Sequence, residues 1–519
     1  MNLKKNFYEL SRIFILVVFS ISINQFYANQ GLFPAESLSH YDISYRILKG
    51  DVPLVDYWAV SGLFIDYTQS LFLFFFGQSF QVYAFHASIF NALATLLIFF
   101  FFKDKLGDNL SFFYSILFSI LAYPTSGTLY IDIHATLLSL FSIIFFLLFY
   151  KNEKKIFLFI SLLLLSFSFF TKVVPAAYTS IIILFFIFIK VIFEKKFTII
   201  KIFLTNSLIL TILILIFFLF FRIPINSFVE QYFLFPLTIG KERILNNYLN
   251  ISSMSIYKFI FIPIIFLFFI AYRKAKKNYK KNYLSIINIC VFIFFSYGLY
   301  IHQILTMNQE FIYFLIPILF GLISSELIFN DNKKEKIKKY TLIFLCSIIV
   351  LKYYLSIIEP RKFHELKNIN LKNFVPASFL DDRFKGLKWI TFNYPHNPDL
   401  EIKLIKNVTL DLKKINLDDS IVITNYSFIS IILDKNLNAP SRWFFANNNG
   451  YPLNRNSKYY DSYQNFLKKL IKRKNIKNIY VIYDTSEDEI FRYIDKNCFL
   501  YSSHLKNIKV FTKKANCNI

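Results

Sequence analysis

Between residues 29 and 80, a chain dominated by Phe, Ile and Leu gathers Glu36, His40, Asp42, Arg46, Asp51, Asp56, Trp58 and Asp66. Smaller polar groups recur further on: Asp132 with His134, then Lys172, then Arg222, Glu230, Lys241, Glu242 and Arg243, then His302, Gln303, Asn308, Gln309 and Glu310. Carboxylates set beside cations suit a reaction in which a general base takes a proton while a cationic clamp holds an anion. Each residue also has a plainer reading. Loops are polar in any protein, a lysine such as Lys172 at a helix end can snorkel to an interface, and His134 and His302 can be histidines satisfied by their neighbours. No Gly-rich phosphate loop, Walker sequence or metal-type Cys spacing is present, and no motif requires a cofactor. A divalent metal on paired carboxylates stays open, although no ligand spacing demands one.

The elements that must position these residues are set by an extreme composition. Of 519 residues, 55% are apolar, 20% aromatic and only 18% charged, with 67 Phe; mean hydropathy is +0.46. Such values exclude a disordered chain, a fibrous protein and an ordinary soluble enzyme. Apolar runs near the ~20 residues needed to cross a bilayer fall at about 10–28, 82–102, 110–123, 133–150, 156–170, 174–193, 200–221, 256–272, 284–304, 310–329 and 340–357. The fold expected is therefore a polytopic α-helical membrane protein of about eleven transmembrane helices. The run 62–76, interrupted by Asp66 and Gln69, reads as a re-entrant or interfacial helix.

The formal net charge of +25 is concentrated in alternate connections. Lys103/Lys105, Lys151/Lys154/Lys155, Lys190/Lys195/Lys196/Lys201, Arg273 to Lys281 and Lys333 to Lys339 lie on one side. This is the positive-inside pattern, and it places the N-terminus (Lys4, Lys5, Arg12) in the cytoplasm. The lysines thus report orientation in a bilayer, and no nucleic-acid partner is expected. A cleaved signal sequence over 1–28 is an alternative, but an uncleaved first span fits the downstream alternation better.

After Glu359–Pro360 the chain turns polar. Ser420–Asn425 and Asn478–Tyr483 read as short strands, and Tyr459–Lys474 reads as a helix between them. The expected organisation is a membrane domain over 1–358, with its first outer loop at 29–80, and a soluble α/β domain over 360–519 on the extracytoplasmic side. Cys498 and Cys517 could pair there or remain free. Arg442-Trp-Phe-Phe445 could stack on a sugar or belong to the core.

Residues 31–70 read Gly-Leu-Phe-Pro-Ala-Glu-Ser-Leu-Ser-His-Tyr-Asp-Ile-Ser-Tyr-Arg-Ile-Leu-Lys-Gly, then Val-Pro-Leu-Val-Asp-Tyr-Trp, then Gly-Leu-Phe-Ile-Asp-Tyr. This resembles the first outer loop of the GT-C glycosyltransferases, polytopic enzymes that take a sugar from a polyprenyl-phosphate carrier. The group includes protein O-mannosyltransferases and the aminoarabinose transferases of lipid A. Counted back from Leu48–Gly50, the family's first carboxylate falls on Glu36, where Asp is usual, with Asp42 the other candidate; Gly62–Leu63 stands where the family has Gly-Pro. Tyr130-Ile-Asp-Ile-His-Ala-Thr136 is similar to the second carboxylate motif and places Asp132, and Phe170-Thr-Lys-Val-Val-Pro175 is similar to the Thr-Lys-Gly segment and places Lys172. The resemblance covers about 1–330.

It implies a glycosyltransferase of a bacterial inner membrane that moves a sugar, with inversion, from a polyprenyl-phosphate-linked donor to an extracytoplasmic glycan, lipid or protein. The implied base is Glu36, Asp42 or Asp132, in that order, with Lys172, Arg222 and His302 on the lipid phosphate and Asp56 and Asp66 among the substrate-binding residues. The alternatives are a flippase or transporter of a lipid-linked glycan, and a surface-polysaccharide polymerase or ligase. Against transport, the spans hold few charges and no inverted repeat.

Overall fold

The computed structural model describes residues 2–246, 255–306, 311–327, 333–444, 450–452, 455–482, 498–505, 507–515 and 517. In chain order the helices are α1 (Asn2–Ala28), α2 (Pro34–Ser37), α3 (Ser39–Leu48), α4 (Leu63–Phe76), α5 (Phe80–Leu121), α6 (Ile131–Asn152), α7 (Lys155–Thr171), α8 (Val173–Glu194), α9 (Thr198–Phe220), α10 (Phe235–Asn246), α11 (Lys258–Leu305), α12 (Leu315–Glu326), α13 (Lys333–Tyr353), α14 (Pro398–Lys413), α15 (Ile429–Leu433) and α16 (Tyr460–Arg473), with a few single turns between. Seven are long and apolar enough to cross a membrane, and the chain is an integral membrane protein. Two of the seven are each broken near the middle, α5 at Gly107 (φ 71°) and α11 at Asn278 (φ −166°). With the shorter α7 and α12, each of the eleven apolar runs read from the sequence is helical over most of its length.

The chain divides into two compact units. The first comprises Met1–Ala28, Ala84–Ile214 and Asn246–Phe363. A bilayer offers no water to polar groups, so they must be satisfied between helices. Along α6 and α7 they are: the Ser139 and Ser168 hydroxyls share a hydrogen bond of 2.8 Å, and Ser142 and Ser161 each donate to the other's carbonyl at 2.8 Å. Asn91 donates to the carbonyls of Ser20 (3.0 Å) and Ser119 (3.1 Å), joining α1 to both halves of α5. Gly127 (φ 76°) lies where a Cβ would come within 2.7 Å of the Ala28 backbone, so only glycine fits.

The lysine-rich connections come together at one end of this unit. Lys105 and Lys274 both reach Glu326, Lys190 and Lys196 both reach Glu153, and Tyr150 shares a hydrogen bond with Tyr283. At the other end, Arg361 donates to the carbonyls of Pro124 (3.0 Å) and Ser126 (2.9 Å), and Tyr27 donates to Tyr354 (2.7 Å).

The second unit comprises Asn29–Tyr83, Leu215–Leu245 and His364–Ile519. A short antiparallel pair, β1 (Val375–Pro376) and β2 (Lys388–Trp389), precedes a sheet that runs β3-β4-β6-β5, from β3 (Ser420–Ile423), β4 (Asn478–Ile482), β5 (Phe499–Leu505) and β6 (Ile508–Lys513), with β3 parallel to β4 and the rest antiparallel. Val422 stands opposite Tyr480. α16 buries Tyr463, Leu467, Leu470 and Ile471, one face at helical spacing. Trp58 and Phe235 join them in the same core with Ile421, Ile479 and Phe511. The stretch 29–80 and the C-terminal residues therefore share one hydrophobic core, built from three separated pieces of chain. Cys498 and Cys517 are disulfide-bonded. In the segment Arg442–Phe445, Arg442 and Phe444 are buried, and residue 445 lies outside the described residues.

Candidate active site

Within the first unit, three helix ends converge on one carboxylate. Tyr130 is extended (φ −144°, ψ 126°) and starts α6, so Asp132 occupies its first turn, where the helix dipole favours a negative charge. Lys172 is the extended residue (φ −157°, ψ 132°) between α7 and α8, its N–H still donating to the Ser168 carbonyl at 2.8 Å. That break turns the Lys172 side chain back along the end of α6. His302 lies in the last turn of α11.

The Lys172 ammonium donates to Asp132 Oδ1 at 2.5 Å, and His302 Nε2 meets the same oxygen at 2.7 Å, which sets the proton on Nε2. Asp132 is 1% exposed, whereas the Lys172 side chain is 21% exposed and so reaches the edge of the cluster. The second carboxylate oxygen, Oδ2, is buried and has no hydrogen-bond partner among the described residues. A buried carboxylate oxygen without a donor is costly, and functional sites are where such cost is tolerated. One turn along α6, the Thr136 hydroxyl is also buried without a partner among the described residues. Positions i and i+4 share a helix face, so two unsatisfied oxygens stand on one side of α6. Thr136 ends the motif Tyr130–Thr136, and its spacing from Asp132 is the one signal for it in the sequence. His134 points elsewhere, its Nδ1 2.8 Å from the Tyr123 hydroxyl and its ring 3.7 Å from that of Phe90.

Of the other residues singled out from the sequence, Gln303 follows His302 in the first unit, Asn308, Gln309 and Glu310 lie outside the described residues, and the rest belong to the second unit. Glu36 lies half-buried in the first turn of α2. Arg222 is exposed just past α9, with φ 54°. Asp56 accepts from the Val52 N–H (2.7 Å) and from Arg473 (2.9 Å). Asp66 is buried between His40, whose Nδ1 is 2.6 Å from Oδ1, and Arg442, which bonds Oδ2 and also donates to the Ser61 carbonyl at 3.1 Å. Gly62 (φ 89°) makes room for this guanidinium, since a Cβ there would fall 2.6 Å from Arg442 Nη2. Arg442 was legible only as part of an aromatic-basic segment, because its partner is 376 residues away.

Asp42 is buried on α3 and accepts from the Ser430 hydroxyl. Burial raises its pKa to about 6 from the ordinary 3.8, against the pull of Arg46 and Ser430. Between those values the folded state binds a proton that the unfolded chain has released. The stabilisation from this group is thus fully present below the unfolded pKa and is lost as pH rises through about 6. Its ceiling is about 3 kcal/mol. Asp42→Asn is expected to flatten this dependence, which melting temperatures of both proteins at about pH 5 and about pH 8 would show. Equal pH slopes in the two proteins would remove Asp42 as the cause.

Among the described residues no group of three or more His, Cys, Asp or Glu side chains gathers to hold a metal ion.

No protein-family model matches the chain, and no curated protein matches it. Among solved structures it is similar to ArnT from Cupriavidus metallidurans bound to undecaprenyl phosphate, with 9% identity and a TM-score of 0.48 over 97% of this chain and 98% of that one. It is similar to the archaeal oligosaccharyltransferase AglB from Archaeoglobus fulgidus in complex with an inhibitory peptide and a dolichol-phosphate, with 12% identity and a TM-score of 0.48 over 94% and 71%. The apo form of the Archaeoglobus fulgidus oligosaccharyltransferase gives 10% identity and 0.49 over 99% and 76%.

Proposed function

We propose that this protein is a membrane glycosyltransferase that moves a sugar from a polyprenyl-phosphate carrier to a hydroxyl of an extracytoplasmic glycan, lipid or protein acceptor. The observation that supports it is the Asp132–Lys172–His302 cluster, in which a buried carboxylate oxygen has no hydrogen-bond partner among the described residues, beside a partly exposed cation. Asp132 Oδ2 takes the proton from the acceptor hydroxyl as the acceptor oxygen forms its bond to the anomeric carbon. The bond from that carbon to the phosphate oxygen breaks, and its electron pair leaves on the polyprenyl phosphate. Lys172, approached from its exposed side, neutralises that charge. His302 holds the carboxylate in position through Oδ1. Attack opposite the leaving group inverts the anomeric centre.

We take the lysine-rich end of the first unit as the cytoplasmic one and the cluster as extracytoplasmic, in keeping with the positive-inside rule.

The test is transfer in proteoliposomes. Polyprenyl-phosphate hexose and pentose donors, radiolabelled in the sugar, are supplied in turn with a cell-envelope extract as acceptor. Label is expected to leave the carrier, with polyprenyl phosphate released. Label that crosses the bilayer still attached to its carrier would overturn the proposal in favour of transport. Lys172→Met is expected to raise the donor KM by about tenfold to a hundredfold, the worth of a charge-assisted hydrogen bond, and Lys172→Arg to recover part of it. An unchanged KM would remove Lys172 from the phosphate.

A further inference from the structure

Thr136 departs from the habit of other helical threonines in the first unit. Thr95, Thr171, Thr179, Thr205, Thr211 and Thr341 each donate their hydroxyl to the carbonyl four residues back, at 2.7–2.9 Å. That bond is how a threonine inside a helix satisfies itself where water is scarce. Thr136 is fully buried in α6, and the carbonyl four residues back is that of Asp132, inside the same helix. Its hydroxyl nevertheless has no partner among the described residues. Asp132 Oδ2, equally without a partner, stands one turn away on the same helix face. One of these oxygens only accepts a hydrogen bond, and the other also donates.

A third group of this kind follows His302 in the chain. The Phe311 N–H can only donate, so its bond to Gln303 Oε1 (3.4 Å) fixes which way the amide points. The Tyr257 hydroxyl donates to the same oxygen at 3.1 Å. The Gln303 –NH2 is left buried, with no partner among the described residues. Phe311 also packs its ring on that of His302, 5.7 Å between centroids, and His302 in turn holds Asp132.

In the reaction proposed above, the attacked hydroxyl gives its proton to Asp132 Oδ2. A donor aimed at that same hydroxyl oxygen would oppose the step. The oxygen loses electron density as it bonds to the anomeric carbon, so a hydrogen bond to it weakens toward the transition state. The Thr136 hydroxyl suits instead a second acceptor oxygen, beside the one attacked. An accepting carboxylate, a hydroxyl and a donating amide are satisfied together by a ligand with several hydroxyls, not by one serine or threonine side chain.

We infer that Thr136 binds the acceptor by the hydroxyl next to the one attacked, so that the acceptor is a glycan presenting a vicinal diol; this rests on the glycosyltransferase reading with Asp132 as base. The test adds soluble competitors to the transfer of label onto the cell-envelope extract. cis- and trans-1,2-cyclohexanediol are compared with 1,4-cyclohexanediol, which has the same composition but separated hydroxyls. One of the 1,2-diols is expected to halve transfer at a concentration about threefold to tenfold lower than the 1,4-diol, the worth of one neutral hydrogen bond. Thr136→Val is expected to abolish that difference, and Thr136→Ser, which keeps the hydroxyl, to retain it. A merely structural role for Thr136 would not alter the ranking of the competitors. Equal potency of the diols, competition by none of them, or a preference that survives in Thr136→Val would overturn the inference while sugar transfer itself stands. The comparison on the unsubstituted protein decides alone if the valine variant does not fold. Absence of transfer to the extract would instead overturn the reaction, and this inference with it.

Discussion

Asp132→Asn is expected to lower sugar transfer by about a hundredfold to ten-thousandfold, the range over which a positioned general base acts, while the protein stays folded in its membrane. The substitution is isosteric. The Asn carbonyl oxygen can still accept from His302 Nε2, so the contact that orients the side chain survives. What disappears is the negative charge and the basicity of the unoccupied oxygen. Loss of charge leaves Lys172 without its partner, but that side chain is already partly exposed and can be solvated. The structural penalty is therefore small compared with that of stranding a fully buried cation.

The kinetic signature separates two roles for the carboxylate. A base acts only in the transition state, so its loss lowers kcat and leaves the donor KM unchanged or smaller. A carboxylate that merely holds Lys172 in place would instead raise the donor KM when replaced. Thr136→Val, which removes the neighbouring unsatisfied hydroxyl but keeps the shape, makes a useful comparison with intact charge. Undiminished transfer by Asp132→Asn would take the chemistry away from this cluster altogether.

Much of the architecture was legible in the residues. Runs of Phe, Ile and Leu have one physical solution in a bilayer, a helix that satisfies its own backbone, and the alternating lysines mark its ends. Even the breaks at Gly107 and Asn278 fall between adjacent apolar runs that the sequence already separated. The short strands Ser420–Ile423 and Asn478–Ile482 follow from their β-branched residues. The site was legible in part. Asp132 and Lys172 were singled out by the resemblance of the motifs around them, but their pairing across 40 residues is a fact of helix packing. The two ends of the Cys498–Cys517 bridge were candidates, and only the antiparallel β5–β6 pairing brings them together. Least legible was the second unit. A hydrophobic pattern shows that Trp58 is to be buried, but not that it is buried against α16, some four hundred residues away. The same holds for Asp66, whose position in an apolar run signals a partner without naming Arg442.

That pair gives the largest stability effect to be expected. Arg442→Met should destabilise the second unit by about 3–5 kcal/mol, because it leaves the Asp66 carboxylate buried with His40 as its remaining partner. Burial of an unpaired charge dominates this cost; the packing lost is modest, since Met fills much of the guanidinium stem's volume. Adding Asp66→Asn to Arg442→Met removes the stranded charge and should restore a large part of the loss, so the two changes are strongly non-additive. Denaturant or thermal unfolding of the single and double variants in the same detergent measures this coupling. Additive losses below about 1 kcal/mol each would mean that water reaches the cluster and screens it as at a surface.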